Sequence, residues 1–271
     1  MDFCNLVRDI QIGMLLIDLE RPLSIVISTF DLDIDLFLTE FYDARIEYTI
    51  WYWYINDSNG QKTDLNKYTI PPNLKLRQLE RNHAKFWYIT TPHQVRFVLT
   101  SANLTYGMVH NCIQSVVMLT VKKSLPASST DYSNTLNPFF SYYDLILDAN
   151  LFQSVKDKLI YNIPGKWHGI ERWLSMQSDL VIDTNNATGS YLQGRRKKIV
   201  VRNYIPPSAS KVVTYYNMDR LPENTALIRV DYTSFFHYKL YYTPKCLLVS
   251  SNNFSYNHKT NFELGILVYE F

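Results

Sequence analysis

Asn82-His83-Ala84-Lys85 is the stretch that decides the fold, because its His-x-Lys spacing occurs a second time in the chain, at His237-Tyr238-Lys239. A Ser-x-Asn segment follows each copy: Thr100-Ser101-Ala102-Asn103-Leu104 after the first, and Ser250-Ser251-Asn252-Asn253-Phe254 after the second. We therefore expect two related halves that close on one site.

The two copies still correspond beyond the asparagines. Gln114 begins the apolar run 115–119, and Glu263 begins the run 264–268. A single His-x-Lys pair is too short to be a motif, and a lone histidine beside a strand is more often structural. The same order of His, Lys, Ser, Asn and an amide or acid in both copies favours a functional site.

Composition permits this interpretation without naming a substrate. The chain has 271 residues, 46% hydrophobic and 19% charged, which suits one large domain or two smaller ones. The net charge of +2 neither requires nor excludes a polyanionic partner. Cys4, Cys112 and Cys246 are widely separated, which predicts reduced thiols in an intracellular protein. No signal peptide and no membrane span are predicted.

Strand and helix patterns alternate along the chain. Strands are predicted at 24–30, 48–55, 74–79, 85–90, 96–101, 114–121, 179–182, 198–204, 226–230, 238–242, 245–250 and 263–269. Helices are predicted within 1–20, at 34–42 with an aspartate N-cap, and at 142–161. Residues 122–130 have the composition of a linker, which divides the chain into an N-terminal half at 1–125 and a C-terminal half at 126–271.

The strand 48–55 is unusually aromatic, since it contains Trp51-Tyr52-Trp53-Tyr54. These rings could stack on nucleic-acid bases. An aromatic core or edge strand is the favoured alternative, because aromatic residues are good strand formers.

The duplicated residues suit displacement at phosphorus. One histidine can attack as a nucleophile while the other donates a proton to the leaving group and then takes one from water. Lys85 and Lys239, with the amides of Asn103 and Asn253, can hold the charged phosphate oxygens without a metal ion.

The paired segments resemble the phospholipase D superfamily, and within it the tyrosyl-DNA phosphodiesterase (type I) branch. The phospholipases carry an aspartate five residues after the lysine, whereas Thr90 and Pro244 stand there in this chain. Phe30-Asp31-Leu32-Asp33 and Asn261-Phe262-Glu263-Leu264-Gly265 also resemble segments of that branch, and 163–169 does so more weakly. The resemblance implies an α/β fold of two similar halves, each with a mixed β-sheet flanked by helices, sharing one active site at a pseudo-two-fold interface.

The resemblance also implies roles. His83 would form a covalent phosphohistidine, and His237 would act as general acid and then base. Lys85, Lys239, Asn103 and Asn253 would hold the phosphate, while Gln114 and Glu263 would orient the histidines. The implied activity is hydrolysis of a 3′-phosphotyrosyl or related adduct at a DNA end, in DNA repair, with no cofactor and no metal.

Partners and location follow from the same resemblance. We expect a monomer that acts in the nucleus, or in the cytoplasm as the alternative, on single-stranded 3′ DNA ends and not at a membrane. The interval from Lys239 to Asn253 is short and the chain is compact, so the substrate-recognising surfaces are expected to differ from the family's. The alternatives are another nucleic-acid or protein–RNA linkage, or a catalytically silent nucleic-acid-binding relative.

Further substrate contacts are predicted near the motifs, at Ser101, Ser251, Tyr106, Tyr256, Arg195 and Arg196. The tyrosines follow the two asparagines at the same spacing, and loop packing is the alternative for them. The arginines begin a basic run that could bind phosphates, and a charged turn is the alternative.

Overall fold

The computed structural model describes residues 3–57, 59–124, 137–177, 179–184, 197–204, 225–232, 235–253 and 260–269. Two mixed sheets of eight strands each carry the described chain, with helices beside them. The α/β class with one mixed sheet in each half is therefore confirmed. The predicted linker and the boundary at residue 125 fall largely outside the described residues.

Residues of the N-terminal half supply seven strands of the first sheet. These are β1 (Phe3–Val7), β2 (Ser24–Asp33), β3 (Glu47–Asn56), β4 (Leu74–Gln78), β5 (Phe86–Thr90), β6 (Gln94–Thr100) and β7 (Cys112–Lys122). Their order across the sheet is β1-β7-β6-β5-β2-β3-β4. β2, β3 and β4 are mutually parallel, and the other neighbours in this path are antiparallel.

The second sheet lies entirely within the C-terminal half. Its strands are β8 (Leu159–Ile163), β9 (Trp167–His168), β10 (Leu180–Thr184), β11 (Lys197–Tyr204), β12 (Thr225–Tyr232), β14 (Lys239–Tyr242), β15 (Leu247–Ser250) and β16 (Glu263–Val268), in the order β12-β11-β10-β14-β15-β16-β8-β9. The short strand β13 (Phe235–Phe236) instead pairs with β7 in the first sheet. The C-terminal half thus supplies the eighth strand of the first sheet, which the sequence did not predict.

The helices are short. They are α1 (Ile12–Leu16), α2 (Ile34–Leu36) continued as a π-helix (Phe37–Phe41), α3 (Tyr106–His110), α4 (Ala149–Val155) and α5 (Gly169–Met176), with 3₁₀ turns at Leu65–Lys67 and Phe140–Tyr143. The predicted aspartate cap is present, because the Asp33 carboxylate accepts the Leu36 N–H at 3.0 Å. None of the described helices is long and apolar enough to cross a membrane.

Two helix predictions are confirmed in part, because α1 lies within 1–20 and α4 lies within 142–161. Residues Phe3–Val7 form a strand, because their backbone completes the edge of the first sheet along β7. The segment 142–161 is divided among a 3₁₀ turn, α4 and the start of β8. Asp144 interrupts it in the left-handed conformation (φ 48°), and Asp148 then caps α4 by accepting the Asn150 N–H at 2.9 Å.

One core fills the space between the two sheets. Successive side chains of a strand point to opposite faces of its sheet. In β6, Phe97 and Leu99 therefore pack into the core between the sheets, while Val98 packs into a separate core on the outer face. The second sheet shows the same alternation, with Val249 in the shared core and Leu248 on the outside with α5. Helices α1 to α3 cover the outer face of the first sheet and α5 covers that of the second, while α4 and the turn Phe140–Tyr143 pack into the shared core. We call the core between the two sheets the shared core.

Candidate active site

His83 lies in a turn after β4 that the other half holds in place. Arg81 adopts the left-handed conformation (φ 64°), and its carbonyl accepts the Phe262 N–H at 2.9 Å. The His83 N–H then donates to the Phe262 carbonyl at 3.0 Å. Because Phe262 directly precedes Glu263, this exchange brings the first histidine to the acid of the second copy.

His237 is held in the corresponding way by the first half. β13 runs parallel to β7 with Phe236 opposite Ile113, and the His237 N–H donates to the Ile113 carbonyl at 2.9 Å. Because Ile113 directly precedes Gln114, the second histidine lies beside the amide of the first copy. The two copies are therefore crossed: each half orients the histidine of the other.

A carboxylate fixes the tautomer of His83. The Glu263 oxygens lie 2.9 and 3.0 Å from His83 Nδ1. An ionised carboxylate only accepts hydrogen bonds, so Nδ1 carries the proton and the Nε2 lone pair is left free. The His83 side chain is 13% exposed whereas that of Glu263 is 1% exposed, so the ring is accessible and its partner is not.

A neutral amide holds His237. Gln114 Nε2 donates to the Met108 carbonyl at 2.9 Å, which fixes the orientation of the amide. Its Oε1 therefore faces His237 Nδ1, at 3.2 Å, and accepts the proton of that nitrogen. Both histidines thus carry their proton on Nδ1, but the groups that accept this proton differ in charge.

The two motif serines donate hydrogen bonds to the amide and the carboxylate that hold the histidines. Ser101 Oγ donates to Gln114 Oε1 at 2.7 Å, and Ser251 Oγ donates to Glu263 Oε2 at 2.6 Å. Both serines are fully buried. Their predicted contact with substrate does not fit this position, because the hydroxyls are already engaged beneath the acid and the amide. We assign them a supporting role instead.

The motif lysines occupy equivalent places below the histidines. Lys85 Nζ donates to the His83 carbonyl at 2.6 Å, and Lys239 Nζ donates to the His237 carbonyl at 2.7 Å. Lys239 Nζ also lies 3.0 Å from His237 Nε2. Both lysines are fully buried. Two buried lysines thus converge on a site whose carboxylate beside His83 is Glu263, and the charge of Asp31 also acts on Lys85.

Burial lowers the pKa values of these groups, and repulsion by neighbouring cations adds to the effect for Lys239 and His237. Burial lowers the pKa of Lys85 to about 8. Burial, together with the charge of Lys85, lowers the pKa of Lys239 well below its ordinary value. Burial and the charges of both lysines lower the pKa of His237 well below its usual range. Groups from both halves act on one another, which places them in one site.

The pair of His83 and Glu263 has opposing contributions. Burial lowers the pKa of His83, the charge of Glu263 opposes this, and the net pKa lies below the ordinary value, so the imidazole is neutral at pH 7. Burial raises the pKa of Glu263, but its interactions with His83, Lys85 and Ser251 outweigh burial and leave the pKa lowered. The site therefore presents a neutral imidazole backed by a carboxylate.

The motif asparagines share an unusual feature. Asn103 Oδ1 and Asn253 Oδ1 are both buried, and neither has a hydrogen-bond partner among the residues that the structure describes. Buried polar atoms are rarely left unpaired, and here the equivalent atom is unpaired in both copies. Because the two ends of a carboxamide have the same shape, rotation of the amide would bring an N–H donor to the same place. Both are thus suited to a ligand group not made by the protein.

Asn82 and its partners were not predicted as site residues. Asn82 Nδ2 donates to the carbonyls of Thr29 and Trp51, at 3.0 and 3.1 Å. Its Oδ1 accepts the Tyr143 hydroxyl at 2.8 Å and lies 3.2 Å from Ser28 Oγ. This fully buried set, which we call the Asn82 network, anchors the residue directly before His83. The only sequence signal for it was the position of Asn82 in the first motif.

Of the remaining predicted contacts, the structure describes Tyr106 alone. Tyr106 is 55% exposed at the start of α3, and its ring packs 4.7 Å from that of His110. Tyr256, Arg195 and Arg196 lie outside the residues that the structure describes. Within the described ranges, no group of three or more His, Cys, Asp or Glu side chains could hold a metal ion.

The fold is similar to that of enzymes of phosphorus chemistry. A mutant of yeast tyrosyl-DNA phosphodiesterase 1 superposes with a TM-score of 0.66 at 12% identity, covering 99% of this chain and 90% of that one. The yeast tyrosyl-DNA phosphodiesterase gives 0.62 at 12% identity, with 99% and 90% coverage. Polyphosphate kinase from Porphyromonas gingivalis gives 0.59 at 11% identity, with 99% and 47% coverage.

At the level of sequence, no protein-family model and no curated protein matches the chain. The structural likeness shows the fold, and it confirms the phospholipase D-like architecture that the duplicated motifs predicted.

Proposed function

We propose that this protein is a metal-independent phosphodiesterase that hydrolyses a 3′-phosphotyrosyl or related adduct at a DNA end through a covalent phosphohistidine. One observation carries the proposal: Glu263 accepts the Nδ1 proton of His83, whereas Gln114 accepts that of His237. Two histidines with the same tautomer but partners of different charge are suited to different tasks.

The difference in charge assigns the tasks. A carboxylate partner stabilises positive charge on the imidazole, so it makes Nε2 of His83 more basic and more nucleophilic. A neutral amide orients His237 without raising its basicity, which favours release of a proton. His83 is therefore the proposed nucleophile and His237 the proposed acid and base.

The first step forms the covalent intermediate. His83 Nε2 attacks phosphorus, the bond from phosphorus to the leaving oxygen breaks, and that oxygen takes a proton from His237. This requires His237 to be protonated at Nε2 in the substrate complex, and the bound phosphate anion would favour that charged form. A tyrosine phenol, with a pKa of about 10, departs more readily than an alkoxide, so this proton is needed less for an aryl adduct.

The second step releases the product. Water attacks the phosphorus of the phosphohistidine, and His237 accepts the proton of that water. The phosphorus–nitrogen bond breaks, which returns His83 as a neutral imidazole and leaves a 3′-phosphate on the nucleic acid. Glu263 holds Nδ1 throughout both steps.

Cationic side chains replace a metal ion in this proposal. Repulsion between Lys85 and Lys239 contributes to the lowered pKa of Lys239. A phosphate anion bound between them would offset the repulsion and favour the charged form of both. Asn103 and Asn253, whose buried Oδ1 atoms lack partners, would complete the contacts to the phosphate oxygens.

The proposed partner is a single-stranded 3′ end of DNA, because the reacting phosphate has to reach a site between two halves. The fold likeness to yeast tyrosyl-DNA phosphodiesterase supports a protein adduct on that end. DNA repair in the nucleus, by a monomer with halves at 1–125 and 126–271, is the setting that this proposal implies. A protein–RNA linkage is the alternative that the same chemistry allows.

Replacement of each histidine tests the proposal. His83→Ala removes the nucleophile, and we expect neither turnover nor a covalent adduct with a 3′-phosphotyrosyl oligonucleotide. In His237→Ala the phenol still departs, but no base activates water, so an acid-labile protein–DNA adduct accumulates. Denaturing gel electrophoresis of radiolabelled substrate, with and without acid treatment, measures both.

The controls separate the alternatives. Assays are run with and without excess EDTA, and activity that EDTA abolishes and magnesium restores would contradict the lysine clamp. Adduct with His83→Ala only would exchange the two roles. Failure of the wild type on 3′-phosphotyrosyl, 5′-phosphotyrosyl, RNA and plain single-stranded substrates, with adduct in neither mutant, would favour a silent binding protein.

A further inference from the structure

Aromatic rings lead outward from His83 along the first sheet. The Phe30 ring centroid lies 5.0 Å from that of His83. Phe30 also lies 5.4 Å from Trp53 and 5.3 Å from Tyr54, in edge-to-face arrangements. Trp53 and Tyr54 stack on each other at 4.9 Å with their planes 16° apart. We call Phe30, Trp53 and Tyr54 the aromatic shelf; all three are half-buried.

A cavity of about 360 Å³ opens on this shelf. One wall is the end of β3, including Trp53 and Tyr54, and the other is the segment 62–65. The second wall is built by the fold: Lys62 forms a β-bridge with Asn56, and the Thr63 N–H donates to the Ile55 carbonyl at 3.2 Å. The volume is in the range of sites that hold small organic groups.

The cavity combines ring faces with polar groups. Lys62 Nζ lies 3.9 Å from the centroid of the Tyr54 ring, a cation–π contact at the rim. Gln78 lines the cavity, and its Nε2 donates to the Trp53 carbonyl at 3.2 Å. Flat apolar faces with hydrogen-bonding groups at their edges match the chemistry of a nucleobase.

We propose that the aromatic shelf and its cavity bind the base of the nucleotide whose 3′-phosphate reacts at His83. This inference rests on the proposed function and names the part of the substrate that the site recognises. It makes Trp53 a determinant of specificity for a nucleic-acid end whose last base is free to stack, with Tyr54 packed against the Trp53 ring.

The geometry of displacement favours the base over the leaving group. In-line attack places the leaving oxygen opposite the nucleophile. Phe30 packs against His83 itself, so we place the shelf beside the nucleophile and not at the position of the leaving group. The substituent that stays on phosphorus is the nucleoside, and it is therefore the group that can extend along the shelf.

A coupling experiment tests this assignment. Substrates are a single-stranded oligonucleotide with a 3′-p-nitrophenyl phosphodiester, and the same molecule without its terminal base. Loss of stacking to one base lowers affinity about 5- to 150-fold. We expect base removal to lower kcat/KM of the wild type within this range, and to have much less effect on Trp53→Ala.

Matched variants show whether the effect belongs to the shelf. Trp53→Phe retains an aromatic face and should retain most of the dependence on the base. Trp167→Ala removes another tryptophan, 46% exposed on β9 of the second sheet, and should show the full dependence of the wild type. Equal sensitivity of Trp53→Ala and wild type to base removal would overturn the proposal.

The leaving group is varied in a second arm. The loss of kcat/KM in Trp53→Ala could change when an alkyl group replaces the aryl leaving group and stay the same when the base is removed. In that case the cavity holds the leaving peptide side chain and the proposal is wrong. If the loss of kcat/KM in Trp53→Ala depends on the terminal base with both leaving groups, the assignment is supported.

Binding separates failure of the shelf from failure of the catalytic proposal. Fluorescence polarisation gives the affinity of the wild type and Trp53→Ala for an oligonucleotide ending in a 3′-phosphate, with and without the terminal base. Base-dependent binding that requires Trp53, in a protein without turnover, would support the shelf and reject the proposed catalysis. Turnover in a protein whose binding and kcat/KM show no link between Trp53 and the terminal base would support the proposed catalysis and reject the shelf.

Discussion

At the scale of the residue, the duplicated set has diverged at one informative position. The acid or amide after each Ser-x-Asn segment is Gln114 in the first copy and Glu263 in the second, and each is held by an equivalent serine. The histidines they hold have the same tautomer, so charge is what distinguishes them. An almost symmetric site can therefore divide two chemical tasks between similar groups.

Glu263→Gln is expected to slow the reaction on the order of 10- to 100-fold, the effect typical of a partner that orients a reactive imidazole. The carboxylate raises the pKa of His83 against burial, so its loss lowers that pKa further and weakens the nucleophile. The acid limb of kcat/KM should move to lower pH. A loss of rate without this shift would indicate a structural effect only.

Ser251→Ala is the matched control for that variant. It removes the hydrogen bond at 2.6 Å to Glu263 but leaves the carboxylate charge beside His83. We expect a smaller loss of rate and a smaller displacement of the acid limb than with Glu263→Gln.

The fall of kcat/KM at alkaline pH reports the ionisation of the lysines. The pKa of Lys85 is lowered to about 8, mainly by burial, so its ammonium is charged below that pH and neutral above it. We expect kcat/KM to fall as pH rises through about 8, whereas an unperturbed lysine would remain charged to about 10. The His237 proton is lost at lower pH, because the pKa of His237 lies well below its usual range. A nitrophenyl ester, which needs no proton to depart, isolates the contribution of the lysines.

A profile for the nitrophenyl ester that stays level up to pH 10 would contradict the lowered lysine pKa.

At the scale of the element, the histidines are placed by short backbone pairings between halves. β13 contributes two residues to the first sheet, and the turn before His83 meets Phe262. These contacts fix position through main-chain hydrogen bonds, while the Asn82 network fixes the first turn through a side chain. That turn requires Arg81 to adopt the left-handed conformation, which is locally unfavourable for a residue with a side chain.

Asn82→Ala should lower the free energy of unfolding by on the order of 3 kcal/mol, because it leaves several buried groups without partners. Tyr143→Phe removes one hydrogen bond to Asn82 and should cost about 1 kcal/mol. Urea denaturation of both variants measures the difference.

Asn82→Asp is the sharper control, since it keeps the shape and the acceptors but loses the donors to Thr29 and Trp51. We expect it to destabilise the protein at least as much as Asn82→Ala. An effect no larger than that of Tyr143→Phe would show that the network does not anchor the turn.

At the scale of the whole molecule, the shared core joins the two halves. Its members come from both sheets and include Phe86, Phe97, Val117, Leu240, Val249 and Leu264. The inner face of either sheet would be exposed to water without the other, which is unfavourable in proportion to its apolar area. The two halves are therefore a single folding unit in spite of their duplicated sequence.

We expect the full chain to unfold in one cooperative transition, with tryptophan fluorescence and far-ultraviolet circular dichroism changing together in urea. Residues 1–125 alone should not fold cooperatively and should bind a hydrophobic dye, because the inner face with Phe86 and Phe97 has lost its cover. Two separate transitions in the full chain, or a cooperatively folded 1–125 fragment, would contradict the shared core.

The residues of the site were predictable to different degrees. His83, Lys85 and Asn103 could be found because the second copy repeats their types and spacing. Most strands were predictable because their faces alternate with a period of two. β1 and the extent of the helix within 142–161 were misassigned, because apolar spacing in a short segment does not reveal which backbone partner it meets.

By itself, the sequence determined the duplication, the fold class and the residue types gathered at one site, since these depend on local pattern and repetition. Only the tertiary structure decided the crossed pairing of Glu263 with His83 and of Gln114 with His237, the burial of Ser101 and Ser251, and the route from Phe30 to the cavity. These features join residues far apart in the chain. Their contacts arise when the two sheets close on the shared core, and no local propensity specifies that closure.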